Sequence, residues 1–328
     1  MSIISNCNES AITHAASSLV NGNLVSFPTE TVYGLGANAT NIDAISRIYA
    51  VKGRPLGHPL IVHISSIELL SEWAREIPEY AIKLAKSFWP GPMTLILPRT
   101  SLAQNFITGS QDNVGIRVPN HPIALKLLKK FEFLGGKGIA APSANRFGAV
   151  SPTSALDVQS ELGHFLAKND LILDGGNCQV GIESTIIDCT KKIPFILRPG
   201  VITSDLVQEK TEVKMGTNFQ ESFEPNVRIP GNFDSHYSPK AQVILHGQPK
   251  SGDGYIALSK IITPKGTIRL ASPRDNNEFA REIYRALRMA DKKGLSRVFV
   301  VSPNMDGIGL AINDRLKKSA RHSPGIII

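Results

Sequence analysis

From residue 9 to about 205 the chain repeats one pattern, a short apolar run of strand length followed by an amphipathic segment of helical period. The runs are LVSF, LIVHI, MTLIL, VGIRV, GIAA, LILDGG, STIIDC and FILRP. The segments interleaved with them are AISRIYAVK, ELLSEWA, PEYAIKLAKSF, HPIALKLLKKF and SALDVQSEL. In PEYAIKLAKSF, Ala81, Leu84, Ala85 and Phe88 recur at helical spacing, which lays one apolar stripe against a sheet. Such elements must bury their apolar faces on one another, so the pattern admits only layered α/β or α+β architectures. The turns WPGPMT, APSAN and RPG mark strand ends where loops expose backbone.

Periodicity fails between residues 206 and 239, a stretch dense in Gly, Pro, Asn and charge that reads as a linker. Beyond it AQVILH, GYIALS and TIRLAS precede a helix, then RVFVVSP and a last helix near GLAINDRLKKSA, the signature of a small, mostly parallel α/β unit. The expected organisation is therefore a unit over 1–205, a linker over 206–239 and a second unit over 240–328. A chain of 328 residues exceeds one average domain, and 42% hydrophobic with 20% charged residues is ordinary for a soluble globular protein. No apolar stretch approaches the ~18 residues of a membrane span, and MSIISNCNES lacks a basic region followed by an apolar block, so no membrane or secretion signal is expected. Cys7, Cys178 and Cys189 form no CxxC pair and give an odd count. A zinc ribbon or disulfide framework is unsupported, and a reducing cytoplasm is the expected compartment.

The net charge of +8 is unevenly placed: from Lys240 onward 16 Lys and Arg face 7 Asp and Glu, against 20 and 21 in the remainder. Within EFAREIYRALRMADKK, Arg281, Arg285, Arg288 and Lys292 share one narrow helix face, while Phe279, Ile283, Leu287 and Ala290 lie opposite. The expectation is a basic face turned outward, either merely solvated or holding RNA or an acidic partner.

Several motifs bear on chemistry. In FPTETVYGLG (27–36) Pro28, Thr29, Glu30 and Thr31 interrupt a strand-like run, so these groups either pair internally or face a ligand. GLGANA matches a dinucleotide turn only weakly, because the polar tetrad precedes it and no acidic residue follows at the required distance. Gly34 and Gly36 are read as turn glycines. There is no P-loop, and Ser184 in GIESTI lacks a nucleophile elbow. His58 and His63 in HPLIVH would face opposite sides of a strand and are not joint metal ligands. KGRP (52–55) offers Lys52 and Arg54 on one turn; Arg117 in VGIRVP and Arg198 in FILRPG put charge among apolar residues, where arginine usually has an anion to meet. Ser143 and Asn145 in APSAN, with Ser151, could hold phosphate oxygens. Four cations and several neutral donors without an evident nucleophile suit a polyanion held for transfer between two substrates.

FPTETVYGLG, KGRP followed by HPLIVH, WPGPMTLIL, VGIRVP, APSAN and IESTI, in this order, resemble the YrdC-like family of threonylcarbamoyl-AMP synthases. HYSP and GLAINDRL are similar to its longer form, with a C-terminal domain. The resemblance implies an α/β fold, a twisted open mixed sheet with a second, smaller Rossmann-like domain. It implies formation of threonylcarbamoyl-adenylate and pyrophosphate from L-threonine, bicarbonate and ATP, toward threonylcarbamoyladenosine in tRNA. Thr31, His63, Arg117, Ala141 and Ser184 would bind threonine, with Arg117 on its carboxylate. Lys52, Arg54, His58, Ser143, Asn145, Ser151, Arg198 and Tyr237 would hold ATP, Lys52 and Arg54 being the catalytic cations and Tyr237 part of a lid. Mg2+ would arrive with ATP, the protein having no metal site of its own, and a downstream tRNA threonylcarbamoyl transferase complex would be a partner.

Overall fold

The computed structural model describes residues 3–213, 228–229 and 237–320. Ten strands form one twisted mixed sheet: β1 (Ile3–Asn6), β2 (Val25–Phe27), β3 (Gly34–Asn38), β4 (Ile61–His63), β5 (Met93–Pro98), β6 (Asn113–Arg117), β7 (Ile139–Ala140), β8 (Leu171–Asp174), β9 (Thr185–Asp188) and β10 (Phe195–Arg198). Their order across the sheet is β1-β8-β2-β3-β7-β4-β6-β5-β9-β10. Parallel pairs such as β4 with β6 and β5 with β9 sit beside antiparallel ones such as β5 with β6.

Strand parity decides what each face does. In β8, Leu171 and Leu173 join the core under the helices Glu9–Val20 and Pro122–Phe133, while Ile172 points to the core on the other side. That half of the sheet is covered on both faces. In the other half only one face is covered by helices: Val62, Leu95, Ile116 and Ile187 enter the main core. Their neighbours Ile61, Ile96 and Ile186 form a small separate cluster closed by Ile229. On the face of Ile61, Ile96 and Ile186 the same parity places His63, Arg117, Thr94 and Ser184.

Gly34 and Gly36 are strand residues, a correction to their reading as turn glycines. β3 returns along β2, with Val25 opposite Gly36 and Phe27 opposite Gly34. Neither glycine has left-handed backbone; a Cβ at Gly36 would stand 2.8 Å from both Phe27 Cε1 and Ile139 Cγ2. Close packing of the Phe27 ring, not a turn, demands glycine there. The interrupted run FPTETVYG is thus the bend of a hairpin.

A second, four-stranded sheet consists of β11 (Gln242–Ile244), β12 (Gly254–Ile256), β13 (Ile268–Ala271) and β14 (Arg297–Val300), all parallel in the order β11-β14-β12-β13. The helices Asn276–Lys292 and Gly309–Ala320 pack on it through Phe279, Ile283, Leu287, Ile312 and Leu316. The same apolar cluster takes in Val32, Val150 and Ile182 of the first unit, so one seam of core joins the two. The first unit's core also runs past the expected boundary at 205: helix Ser204–Thr211 buries Val207 in it. Of the expected linker, residues 214–227 and 230–236 lie outside the described residues.

The basic row on helix Asn276–Lys292 does not simply face outward. Arg288 is buried, pairs with Glu161 at 3.0 Å and donates to the Val150 carbonyl. Arg281 Nε donates to the Gln179 carbonyl at 2.9 Å, and Lys292 lies 4.0 Å from Asp157. Only Arg285 is satisfied within the helix, by Glu282. Three of the four cations reach across to the first unit, while Arg281, Arg285 and Lys292 stay exposed. Among the described residues no helix is long and apolar enough to cross a membrane.

Candidate functional site

On the helix-free face of the large sheet lies a cavity of about 60 Å³, bordered by Thr29, Thr31, Arg54, His63, Arg117, Ala141, Ser143, Glu183, Ser184, Arg198 and Tyr237 among others. Its floor comes from strand ends and its rim from loops, so the side chains are held by rigid elements.

KGR earns its geometry from a helix cap. Helix Ile42–Lys52 starts at Asn41, whose side chain accepts from Ala44 N, and ends at Gly53 in left-handed conformation with φ 59°. The cap sends the two flanking cations to different places. Lys52 turns inward, 2% exposed, and its ammonium donates to the carbonyls of Ser143 and Asn145. Burial first, and Arg54 second, push its pKa well below the usual lysine value. Arg54 borders the cavity; Nη2 donates to Pro59 O at 3.0 Å, the guanidinium lies 6.0 Å from the Phe147 ring centre, and Nε has no partner. His58 sits edge-on to Phe147 at 5.7 Å, beside the cavity rather than on its wall.

At the hairpin bend both answers to the interrupted strand hold. Thr29 Oγ1 pairs with Thr31 Oγ1 at 2.8 Å and donates to Val32 O at 2.6 Å, yet both threonines border the cavity. Glu30 turns away to Arg117, with Oε2 2.8 Å from Nη2 and both side chains buried. That approach is close but off-line, so Arg117 Nη2 and both Glu30 oxygens keep unfilled hydrogen-bonding capacity. Arg117 Nε donates to Gly91 O at 3.3 Å. His63 is buried against the edge of Phe27, 6.0 Å between ring centres. Burial, with Arg117 adding to it, lowers the His63 pKa to about 3. The ring is neutral at physiological pH, and its Nδ1 has no partner.

Arg198 and Ser184 form the opposite wall. Arg198 donates to Ser184 O from Nε and Nη2 at 3.1 and 3.0 Å, and to Ser184 Oγ at 3.2 Å; Ser184 Oγ also meets Thr94 Oγ1 at 2.8 Å. Between them stands Glu183, which the reading of the sequence did not single out. Its Oε1 accepts from Ser151 Oγ at 2.6 Å; its Oε2 accepts from Tyr284 Oη at 2.9 Å and Arg315 Nε at 3.1 Å. Burial would raise this carboxyl, but Arg315 and Arg198 outweigh it and hold the pKa at about 2. The signal was present: a carboxylate inside apolar GIESTII is as anomalous as Arg117 in VGIRVP.

The structure thus brings Thr31, Arg54, His63, Arg117, Ala141, Ser143, Ser184, Arg198 and Tyr237 to one cavity. Lys52, His58, Asn145 and Ser151 stand behind it. Asn145 donates to the Arg146 and Ala149 carbonyls and shapes its own loop; Ser151 acts on the wall through Glu183. Tyr237 is buried at φ 61°, stacked on Tyr284 at 5.7 Å. No three His, Cys, Asp or Glu side chains cluster as metal ligands among the described residues.

Comparison with known proteins fits this geometry. Residues 17–200 match the Sua5/YciO/YrdC family model, described as telomere recombination, and residues 201–321 match the C-terminal domain of threonylcarbamoyl-AMP synthase. The chain belongs to the Sua5/YciO/YrdC family. A family member from Pyrococcus abyssi, named threonylcarbamoyl-AMP synthase, is 39% identical over 322 residues, 93% of each chain. A Bacillus subtilis protein of the same name is 37% identical over 95% of this chain and 94% of its own. The crystal structure of P. abyssi Sua5 complexed with L-threonine superposes with a TM-score of 0.86 at 37% identity, covering 97% of this chain and 98% of that one. The two matched regions divide the chain near residue 200.

Proposed function

We propose that the protein is a threonylcarbamoyl-AMP synthase, a nucleotidyltransferase that converts L-threonine, bicarbonate and ATP to L-threonylcarbamoyladenylate and pyrophosphate for threonylcarbamoyladenosine modification of tRNA. One observation carries the reading. Arg54 Nε and His63 Nδ1, from separate segments, belong to side chains on one cavity and are buried without hydrogen bonds, and on the same cavity Arg117 is held by Glu30 at 2.8 Å without an in-line hydrogen bond from Nη2. Each of the first two atoms costs about 1 to 3 kcal/mol unless a ligand completes it. Two cationic donors and a neutral imidazole suit an anionic amino acid beside a polyphosphate, and the names of the P. abyssi and B. subtilis relatives support the same substrates.

In this reading Arg117 takes the threonine carboxylate, while Thr31, His63 and Ser184 meet its amine and hydroxyl, and Ala141 lines the pocket. His63 is a hydrogen-bond partner rather than a general base, because a ring held near pKa 3 takes up almost no proton at neutral pH. The deprotonated amine captures bicarbonate to give a carbamate and water; a carbamate oxygen attacks the α-phosphorus, and pyrophosphate leaves. Arg54, Ser143 and Arg198 border the path of the phosphates and offset the repulsion between two anions. Lys52 contributes by fixing the main chain of Ser143 and Asn145, with Ser151 and Tyr237 completing the nucleotide side and His58 beside Phe147 at its edge. The nucleotide lies along the side of the cavity formed by Arg54 and Ser143. Mg2+ enters as Mg·ATP, part of the substrate: among the described residues lining the cavity the one carboxylate is Glu183, and it is already filled by three donors. Cytoplasmic location and delivery of the adenylate to a tRNA threonylcarbamoyl transferase complex follow from this function.

The test is turnover of purified protein with Mg·ATP, labelled bicarbonate and a panel of amino acids. Pyrophosphate release and labelled adenylate should depend on threonine; equal release with every amino acid, or with none, rejects the assignment.

A further inference from the structure

The second unit reaches the cavity wall through one fully buried arginine. Arg315 is 0% exposed, bonds Glu183 through Nε and Asp314 through Nη1, and lies with its guanidinium 5.5 Å from the centre of the Tyr237 ring. Tyr284, from the long helix, adds the second donor to Glu183 Oε2 and stacks on the same Tyr237. Ser319 Oγ then fixes the Tyr237 carbonyl at 2.8 Å. Glu183 and Tyr237 both border the cavity, so the second unit braces two pieces of its wall.

We infer that Arg315 and Tyr284 are positioning residues for the reaction: by fixing Glu183 they set, from the second unit, the placement of Ser151, Ser184 and Arg198 in the first. The chain of contacts is short. Arg315 and Tyr284 hold one carboxylate oxygen, Ser151 the other; Ser184 is the next residue, and Arg198 donates to its carbonyl and hydroxyl. A carboxylate with both oxygens filled is a fixed negative post rather than a proton carrier. Without it the Ser151 hydroxyl loses its acceptor and the Arg198 guanidinium a nearby countercharge. The basic helix contributes to the same end: Arg288 holds the Val150 carbonyl, next to Ser151, and Glu161, which accepts from Arg146 N in the loop after Asn145. Arg288 and Arg315 are thus turned inward, onto the residues that shape the nucleotide side.

This inference rests on the proposed synthase reading, and the experiment separates the two. Wild-type protein is first assayed for threonine-dependent pyrophosphate release; failure there sinks the parent reading. With an active wild type, Y284F, R315K, R315M, E183Q and E183Q/R315M are compared. Y284F should lower kcat/KM for ATP about 5- to 20-fold, and R315M about 100-fold or more, with R315K recovering part of the loss and threonine affinity falling by a smaller factor, through Ser184. R315M should add no further loss in the E183Q background. Its pH profile should gain a further acid limb beside the one wild type shows, because Glu183 deprived of its cation protonates in an accessible range; a merely structural contact would leave that profile unchanged. Should R315M fail to fold, Y284F alone and with E183Q decides the matter in the same way. Wild-type kcat/KM in Y284F and R315K, or losses that add fully across E183Q, would overturn the inference.

Discussion

Folding should make this protein acid-sensitive through His63. In the unfolded chain the imidazole titrates near 6.5; in the folded chain, buried and next to Arg117, it titrates at about 3. Below pH 6.5 the unfolded state therefore binds a proton that the native state must shed, and stability falls as pH falls. At pH 5.0, about 1.5 units below the unfolded value, the loss from this one ring is about 2 kcal/mol at 1.36 kcal/mol per unit, growing to about 4 kcal/mol near pH 3. H63Q keeps a polar side chain at the cavity but cannot titrate. Urea unfolding of both proteins at pH 7.5 and 5.0, at constant ionic strength, gives the difference directly. His58 and His121, also lowered chiefly by burial, are present in both and cancel. Wild type should lose about 2 kcal/mol more than H63Q between the two pH values. Equal losses would mean that His63 is not held neutral, and its role as an uncharged partner for threonine would go with it.

Other perturbations follow from the same contacts. G36A places a methyl 2.8 Å from Phe27 and Ile139 and should cost about 1 to 3 kcal/mol by overpacking, read as a lowered thermal midpoint. K52M leaves the Ser143 and Asn145 carbonyls buried without their donor, so it should lose roughly 2 to 6 kcal/mol of stability together with activity; an inactive K52M of wild-type stability would put the ammonium on substrate instead. R117M strands buried Glu30 and should destabilise by about 3 to 5 kcal/mol. E30Q/R117M should regain most of that stability in urea titrations without regaining threonine binding by calorimetry.

The fold was readable where periodicity was strong. Strand runs such as MTLIL and VGIRV and the stripe of PEYAIKLAKSF correspond to β5, β6 and the helix Glu79–Phe88. β3 was not readable, because glycines chosen for close packing look like glycines chosen for turns. Helix Glu9–Val20 was missed because its buried face is mostly alanine, serine and two large residues, Ile12 and Leu19, too weak a stripe to stand out. Charge inside apolar runs pointed to Arg117 and Arg198, and the same reasoning applied to GIESTII would have found Glu183. What no periodicity discloses is direction across a domain boundary. The row Arg281, Arg288 and Lys292 has the spacing of a solvated face, yet its targets Gln179, Glu161 and Asp157 lie more than 100 residues away in sequence and become neighbours only through the docking of the second unit.

The arrangement of substrates is most directly tested by a crystal structure of this chain with L-threonine and a non-hydrolysable ATP analogue. Threonine should lie with its carboxylate on Arg117 and a polar atom on His63 Nδ1, and the phosphates should run past Arg54, Ser143 and Arg198. Density for either ligand on a different face of the large sheet, with this cavity vacant, would contradict that placement.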